Sequence, residues 1–402
     1  MLNTAKNLLL VYLLLKPFYL FGSGGLQIAD GFLLLAFVVY FTASFLTNKG
    51  KAEMAEVFRG QRFFIVFVIA TFLVNGAYFL IYPEFKFLLS SLYFVFNLVA
   101  IIVFAAFLND KRFLSRVAIV FKFNLLLQLG LWGVGLGRFY SPDRYMGTLN
   151  DPNQFGYYVF LSLIFIFVID IHLRKKYTFI FYALALFLIL LSGSTGMLLG
   201  VAVFSILITL YFIKQQLQSP YKLLQRILRT LVLVLLLVAP LYLIFLGVVN
   251  GAEATPSAPA EESSVLKRVE EKTDKASGDA DISILEDRGL DTVTQYPQYI
   301  FLGAGEGAFL RFVKVTNNYG SEIHSTAPAI LFYYGLFPFI LLAIWVWRNV
   351  RGVGAMYAVA YVALFAVSFT LLNQRQALFW ILIVMAGELF SQTTIKKKEP
   401  VQ

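Results

Sequence analysis

Residues 87–108 read FLLSSLYFVFNLVAIIVFAAFL, a run without a single Asp, Glu, Lys or Arg. A helix needs about 20 mostly apolar residues to cross the hydrocarbon of a bilayer, so this stretch spells a membrane span. Similar runs follow along the chain at 7–23, 27–46, 63–82, 117–136, 155–171, 177–191, 195–213, 230–249, 326–346, 354–372 and 377–391. Together they predict an all-α polytopic bundle of about twelve spans. The pair at 177–191 and 195–213 reads either as two helices or as one element broken at Ser192-Gly193-Ser194-Thr195-Gly196. Lys16-Pro17 and Gly22–Gly25 suit a retained first helix and its turn, with no small-residue cleavage site behind it.

Composition agrees. Of 402 residues, 59% are hydrophobic, 14% are charged and none is cysteine, against about 25% charged in a soluble domain. Disorder is excluded, as are a disulfide scaffold, thiolate zinc sites and a cysteine nucleophile.

The formal net charge of +10 is explained by topology rather than by nucleic acid. Lys49, Lys51, Arg59 and Arg62, then Lys111, Arg112 and Arg116, then Arg174–Lys176, Lys214–Arg229, Arg348 with Arg351, and Lys396–Lys398 all fall on one side of a twelve-span chain. The positive-inside bias makes that side cytoplasmic, with both termini inside. Residues 250–323 carry 13 Asp/Glu against 7 Lys/Arg and belong outside. The chain thus divides into an N-terminal membrane region (1–249), a large outer loop (250–324) and a C-terminal membrane region (325–402). Residues 251–282 are small and polar and expected to be mobile. The stretch 283–323 mixes Ile284, Tyr296, Phe301 and Phe309 with polar residues, and reads as a short helix and a glycine-rich turn folded over the outer face.

Mid-span polar candidates are few (Asn75, Asn97, Lys122, Asn124), and the polar features gather at the outer mouth. His324 is the one outward-side histidine, flanked by Glu322 and Ser325. It reads either as an interfacial residue or as a proton acceptor, since neutral imidazole is suited to that task near pH 7. Arg138, Arg144, Arg288, Arg311 and Arg375 form an outer set that the inside bias does not explain. Guanidinium forks grip phosphate oxygens in pairs. Gly303-Ala304-Gly305-Glu306-Gly307 lacks the strand–helix context of a nucleotide loop and reads as a tight backbone turn. Asp151-Pro152-Asn153 reads as a helix start with proline in its first turn.

The pattern over residues 138–376 resembles the O-antigen polymerase and O-antigen ligase family of bacterial envelope proteins. The resemblance rests on Arg144-Tyr-Met-Gly147 followed by Asp151-Pro152-Asn153, on Leu191–Gly196, on Arg288 with Tyr296-Pro297 and the Gly303–Gly307 turn, and on His324-Ser325 followed by Gly335. It implies a bacterial inner-membrane glycosyltransferase that uses no metal and no cofactor. Donor and acceptor would be undecaprenyl-diphosphate-linked oligosaccharides, the site would face outward, and a flippase and a chain-length regulator of the same pathway would be partners besides the membrane lipids. His324 would be the base or acceptor-orienting group, and Arg288, Arg144 and Arg375 would hold the diphosphate. Glu322, Ser325, Asn153 and Gly335 would support them. Thr195 departs from the pattern where many relatives have arginine: either Arg144 or Arg375 takes over part of the anion binding, or the diphosphate is held differently. A polymerase is the leading reading, with a ligase and a repeat-unit flippase as alternatives.

Overall fold

A computed structural model describes residues 1–22, 25–141, 144–175, 178–217, 288–312 and 322–396. Among these residues, six helices are long and apolar enough to cross a membrane. They are α2 (Ile28–Phe45), α4 (Arg62–Ile81), α5 (Phe85–Phe107), α6 (Lys111–Gly133), α7 (Pro152–His172) and α9 (Thr195–Leu217). Shorter apolar helices are α1 (Leu2–Leu15), α8 (Thr178–Ser192), α13 (Leu336–Val350) and α14 (Ala355–Ser368), and apolar sequence also fills much of α15 (Ala377–Lys396). The multi-pass helical character expected from sequence is present, resting on six long helices and a set of shorter ones. The expected span at 230–249 and the segment 251–282 lie outside the described residues.

Four local expectations change. The first helix covers Leu2–Leu15 rather than 7–23, because Pro17 and the glycines after it cannot continue it. The basic connection after α2 is itself a helix, α3 (Asn48–Gly60), capped by the Thr47 hydroxyl accepting from the Gly50 N–H at 3.0 Å and burying none of its residues. The segment before α7 forms an antiparallel hairpin, β1 (Arg138–Ser141) with β2 (Arg144–Gly147), in the register Arg138↔Gly147 and Phe139↔Tyr145. The run at 326–346 is not one helix: it breaks at Gly335 into α12 (Thr326–Tyr334) and α13. The ambiguous pair at 177–213 resolves as two helices, α8 and α9, separated by Gly193 at φ +60°.

The chain forms two compact units. Unit 1 holds residues 1–120, 284–353 and 368–402, and unit 2 holds 121–283 and 354–367.

In unit 1 the core is aromatic. Phe64 packs on Trp345 (4.8 Å between centroids) and Trp380 (5.4 Å), and Phe94 on Phe67 (4.9 Å) and Tyr334 (5.6 Å). The Trp345 indole N–H finds Gln61 Oε1 at 2.8 Å, as a buried indole requires. The helix ends sort into two sets. A cavity of about 690 Å³ is lined by Leu2, Thr47, Phe107 and Glu388, which places the starts of α1 and α3 beside the end of α5 and the second half of α15. At the opposite ends of α4 and α5, Tyr78 donates to the Gly303 carbonyl (3.0 Å) and Glu84 accepts from the Ala308 N–H (2.9 Å). The segment 288–312 therefore covers that end of unit 1, built from α10 (Asp291–Gln295), α11 (Tyr299–Leu302) and a 3-10 turn at Phe309–Phe312.

In unit 2, α7 is buried all round, as a helix apolar on every face must be. Phe121 stacks on Phe165 at 4.4 Å, and Lys122 pairs with buried Asp170 at 2.6 Å. Asp151 caps α7 by accepting from the N–H groups of Asn153 and Gln154, with Pro152 at the first position, as its sequence predicts.

Candidate functional site

The site in unit 1 begins with a helix that stops early. Gly335 adopts φ +85°, and a Cβ there would stand 2.6 Å from the Phe301 carbonyl oxygen. The last carbonyls of any helix lack intrahelical partners. Here those of Phe332 and Tyr333 accept from the N–H groups of Ala304 (2.9 Å) and Gly305 (2.8 Å). Gly303 makes the matching approach at φ +83°, where a Cβ would lie 2.6 Å from the Tyr334 backbone. The glycine turn is thus stitched onto the end of α12 rather than lying loosely over the helix ends.

That stitching carries Glu306 inward, a residue the sequence reading treated only as part of a bend. Its side chain is fully buried. Oε2 accepts from the Tyr334 hydroxyl at 2.6 Å, Oε1 faces Arg375 Nη2 at 3.4 Å, and the backbone N–H donates to Asn75 Oδ1 at 2.8 Å. Arg375 Nη2 also donates to Glu322 Oε1 at 2.5 Å, and its guanidinium lies 5.4 Å from the Tyr93 ring. One cation is therefore clamped between two carboxylates.

The remaining expected residues of this unit stand around the clamp. The His324 N–H donates to the Arg288 carbonyl at 2.9 Å, its side chain is exposed, and Arg288 Nη1 donates to the Thr370 carbonyl at 2.6 Å. Ser325 is the N-cap of α12. Next to it, the Thr326 hydroxyl donates to the Leu371 carbonyl (2.7 Å) and accepts from the Asn373 N–H (2.9 Å). Arg288, Glu322, His324, Ser325 and Arg375 thus form one contiguous group.

Behind this mouth lies a buried cluster of polar side chains. Asn97 Nδ2 donates to the Gln374 carbonyl at 2.5 Å. Asn97 lies about 18 Å along α5 from its mouth end, at 1.5 Å per residue, so the connection 373–376 reaches the middle of a span-length helix. Non-helical backbone persists at that depth only where protein or a water-filled cavity shields it. Asn97 Oδ1, Asn373 Oδ1, both polar atoms of the Gln374 side chain, Arg375 Nε and Ser325 Oγ are buried without a hydrogen-bond partner among the described residues. A buried polar group left in that state costs about 1–3 kcal/mol.

Arg311 has a different task. Its Nη2 donates to the carbonyls of Ala304 (2.6 Å), Gly305 (3.2 Å) and Gly307 (3.1 Å), and its guanidinium lies 4.9 Å from the Tyr78 ring. Burial holds this guanidinium below its ordinary pKa, against the pull of nearby tyrosines. It is the clip that fixes the glycine turn.

Unit 2 carries the other two expected residues together. Arg144 on β2 is buried and donates from Nη2 to Asn153 Oδ1 (3.2 Å) and from Nε to the Ser192 carbonyl (3.3 Å). It therefore reaches the Ser192–Thr195 turn, which lacks an arginine of its own. Among the described residues no group of three or more His, Cys, Asp or Glu could hold a metal ion. No protein-family model matches this chain, and no curated protein matches it.

Proposed function

We propose that this protein is a polymerase of a surface polysaccharide, acting at the outer face of the bacterial inner membrane on repeat units linked to undecaprenyl diphosphate. The observation that carries the reading is the joining of His324, Arg288, Glu322 and Arg375 at the end of unit 1 covered by 288–312, opposite the end that carries the basic α3. A donor linked through diphosphate is already activated, so the reaction needs charge stabilisation at the leaving group and a base at the acceptor. Arg288 would hold the diphosphate as negative charge develops on it. The exposed imidazole of His324 would take the proton from the acceptor hydroxyl. Attack from the face opposite the leaving group would invert the anomeric centre. The segment 288–312 would keep out water, the competing acceptor. Arg144, already lodged on the Ser192–Thr195 turn, is the better candidate for the arginine missing at Thr195, because Arg375 is engaged by two carboxylates.

The test is the set of lipid-linked glycans that accumulates in the native host when the protein is removed. Single repeat units are expected. Full-length lipid-linked chains would replace the polymerase with a ligase, and units trapped on the inner face would replace it with a flippase.

A further inference from the structure

We infer that the cavity of about 690 Å³ at the end of unit 1 that carries α3 is a headgroup site for phosphatidylethanolamine, with the lipid ammonium at Glu56 and Glu388 and its phosphate at Lys49. The site is separate from the residues of the mouth and independent of the reaction proposed for them.

Its size and depth suit a lipid headgroup. Ligand cavities commonly enclose about 300–1,000 Å³, so this one has room for a guest far larger than a metal ion. The lining comes from helix ends: Leu2 and Lys6 in α1, Ser44 near the end of α2, Lys49 at the start of α3, and Phe107 closing α5. The ends of membrane-crossing helices lie at headgroup depth. Tyr40, Ser44 and Phe107 are buried on the floor, while Leu2, Lys49, Glu53 and Glu56 are exposed at the rim, so the cavity opens to the surface.

The charges select the guest. Two lining cations are already matched: Lys6 bonds Asp110 at 2.7 Å, and Lys49 stands 3.8 Å from Glu53. Glu56 and Glu388 make no hydrogen bond or ion pair among the described residues, and they lie close enough to repel one another. Glu388 is also the one charged residue of α15 before Lys396. An ionisable group in a spanning helix is costly unless it meets a partner, so the cavity calls for a cation. A metal ion does not answer, because no three acidic or histidine groups among the described residues converge as ligands. A primary ammonium does, since it offers three N–H donors to the two carboxylates. A quaternary ammonium offers none and relies on aromatic faces, and the Phe107 ring already carries Lys6 at 5.2 Å. An ethanolamine headgroup brings a phosphate two carbons away from its amine, and that group has a match too. Lys49 and Gly50 line the cavity from the first turn of α3, where the helix dipole favours an anion. The Lys49–Glu53 pair is largely exposed and therefore weak enough to exchange partners. Lys49 and Glu56 stand about 10 Å apart along α3, a gap that the two side chains and a phosphoethanolamine group between them can close.

The test supplies the full-length protein in detergent with phosphatidylethanolamine, phosphatidylcholine and phosphatidylglycerol of matched acyl chains, and counts retained lipid by native mass spectrometry. Wild type should retain phosphatidylethanolamine about tenfold over either of the others. Glu56→Gln, at an exposed position of α3, and Glu388→Gln should each remove that preference and melt no lower than wild type, because each relieves the repulsion between the two carboxylates. Lys49→Gln should weaken phosphatidylethanolamine and phosphatidylglycerol together. Equal retention of the three lipids by wild type overturns the site, and so does a preference for phosphatidylethanolamine that survives both glutamate substitutions. Phosphatidylglycerol held as tightly as phosphatidylethanolamine would overturn the reading of the amine and leave a phosphate contact alone. A rise in melting temperature with putrescine, matching that with phosphatidylethanolamine and lost in Glu388→Gln, would replace the lipid with a soluble diamine.

Discussion

The hydroxyl of Tyr334 donates to Oε2 of Glu306 at 2.6 Å, and both groups are fully buried. This one bond ties the last residue of α12 to a carboxylate on the glycine turn, and through Glu306 to Arg375 on the connection before α15.

Breaking it should be costly. Glu306→Leu strands the Tyr334 hydroxyl and leaves Arg375 with Glu322 alone, for an expected loss of about 2–4 kcal/mol. Glu306→Gln keeps an acceptor for Tyr334 and should cost about 1 kcal/mol. Thermal unfolding in detergent measures both, and melting temperatures equal to wild type for the two variants would mean that the carboxylate holds nothing.

His324→Ala should reduce polymer formation by about 10²–10⁴-fold, the usual contribution of a positioned base. Folding should be unaffected, because the imidazole is exposed and the bond to Arg288 uses the backbone N–H. Purified protein, synthetic lipid-linked repeat units and a product ladder provide the assay. A ladder built at more than about a tenth of the wild-type rate removes His324 as the base.

Arg311 and Arg288 should part company when each becomes lysine. Arg311 donates from Nη2 to the carbonyls of Ala304, Gly305 and Gly307 and from Nε to that of Ala308, with its planar guanidinium against the Tyr78 ring; an ammonium lacks the second nitrogen and the plane. Arg311→Lys should therefore lower the melting temperature, by about 1–3 kcal/mol of stability. Arg288 donates from Nη1 to the Thr370 carbonyl, and lysine keeps its positive charge while losing the two-pronged grip on phosphate oxygens, so Arg288→Lys should keep a normal protein level and lose activity. The reverse result would exchange the structural and functional assignments.

Acid should loosen the end of unit 1 that carries the N-terminus. The Lys6 ammonium bonds Asp110 at 2.7 Å, and the N–H groups of Phe113 and Arg112 add to it. Together they outweigh burial and hold the Asp110 carboxyl below its ordinary pKa. A carboxyl depressed in the folded state contributes stability above its unfolded value, near about 4, and loses it as pH falls through the lower folded value. Melting temperature should thus drop below about pH 4, with a shallower slope in Asp110→Asn. Identical slopes would mean that the Lys6–Asp110 pair contributes nothing.

Orientation can be read directly, because the chain has no cysteine. Phe301 is 69% exposed on the covering segment, and Lys49 lies on α3 beside the cavity at the other end. In intact cells a membrane-impermeant maleimide should label Phe301→Cys and spare Lys49→Cys until the membrane is opened. The opposite pattern would invert the topology and remove the outward-facing site.

Much of this was legible because it is local. Asp151-Pro152-Asn153 announces the start of α7, since a cap, a proline and an apolar run are contiguous in sequence. His324, Glu322 and Arg288 stood out because charged groups are rare in so apolar a chain. Glu306 did not, because its partners Asn75, Tyr334 and Arg375 lie as far as 231 residues away. A carboxylate between glycines looks like a solvent-facing turn until the turn is seen to enter the helices. The break at Gly335 was hidden by hydropathy, which counts apolar residues on both sides and cannot see a backbone at φ +85°. The reach of 373–376 toward Asn97 was hidden for the same reason: depth follows from packing, and pattern alone reads a connection as a surface loop.

The stitch between Ala304, Gly305 and the carbonyls of Phe332 and Tyr333 also orders events during synthesis. The turn leaves the ribosome before α12 exists, so the amides of Ala304 and Gly305 lack the carbonyls they bond in the folded chain until about 30 further residues have been made. A chain stopped before Tyr334 would carry every residue of the turn and still expose Glu306 and the backbone of 303–305. Assembly of the turn is thereby tied to the arrival of the next helix, and the clamp on Glu306 closes only later, when Arg375 has been made.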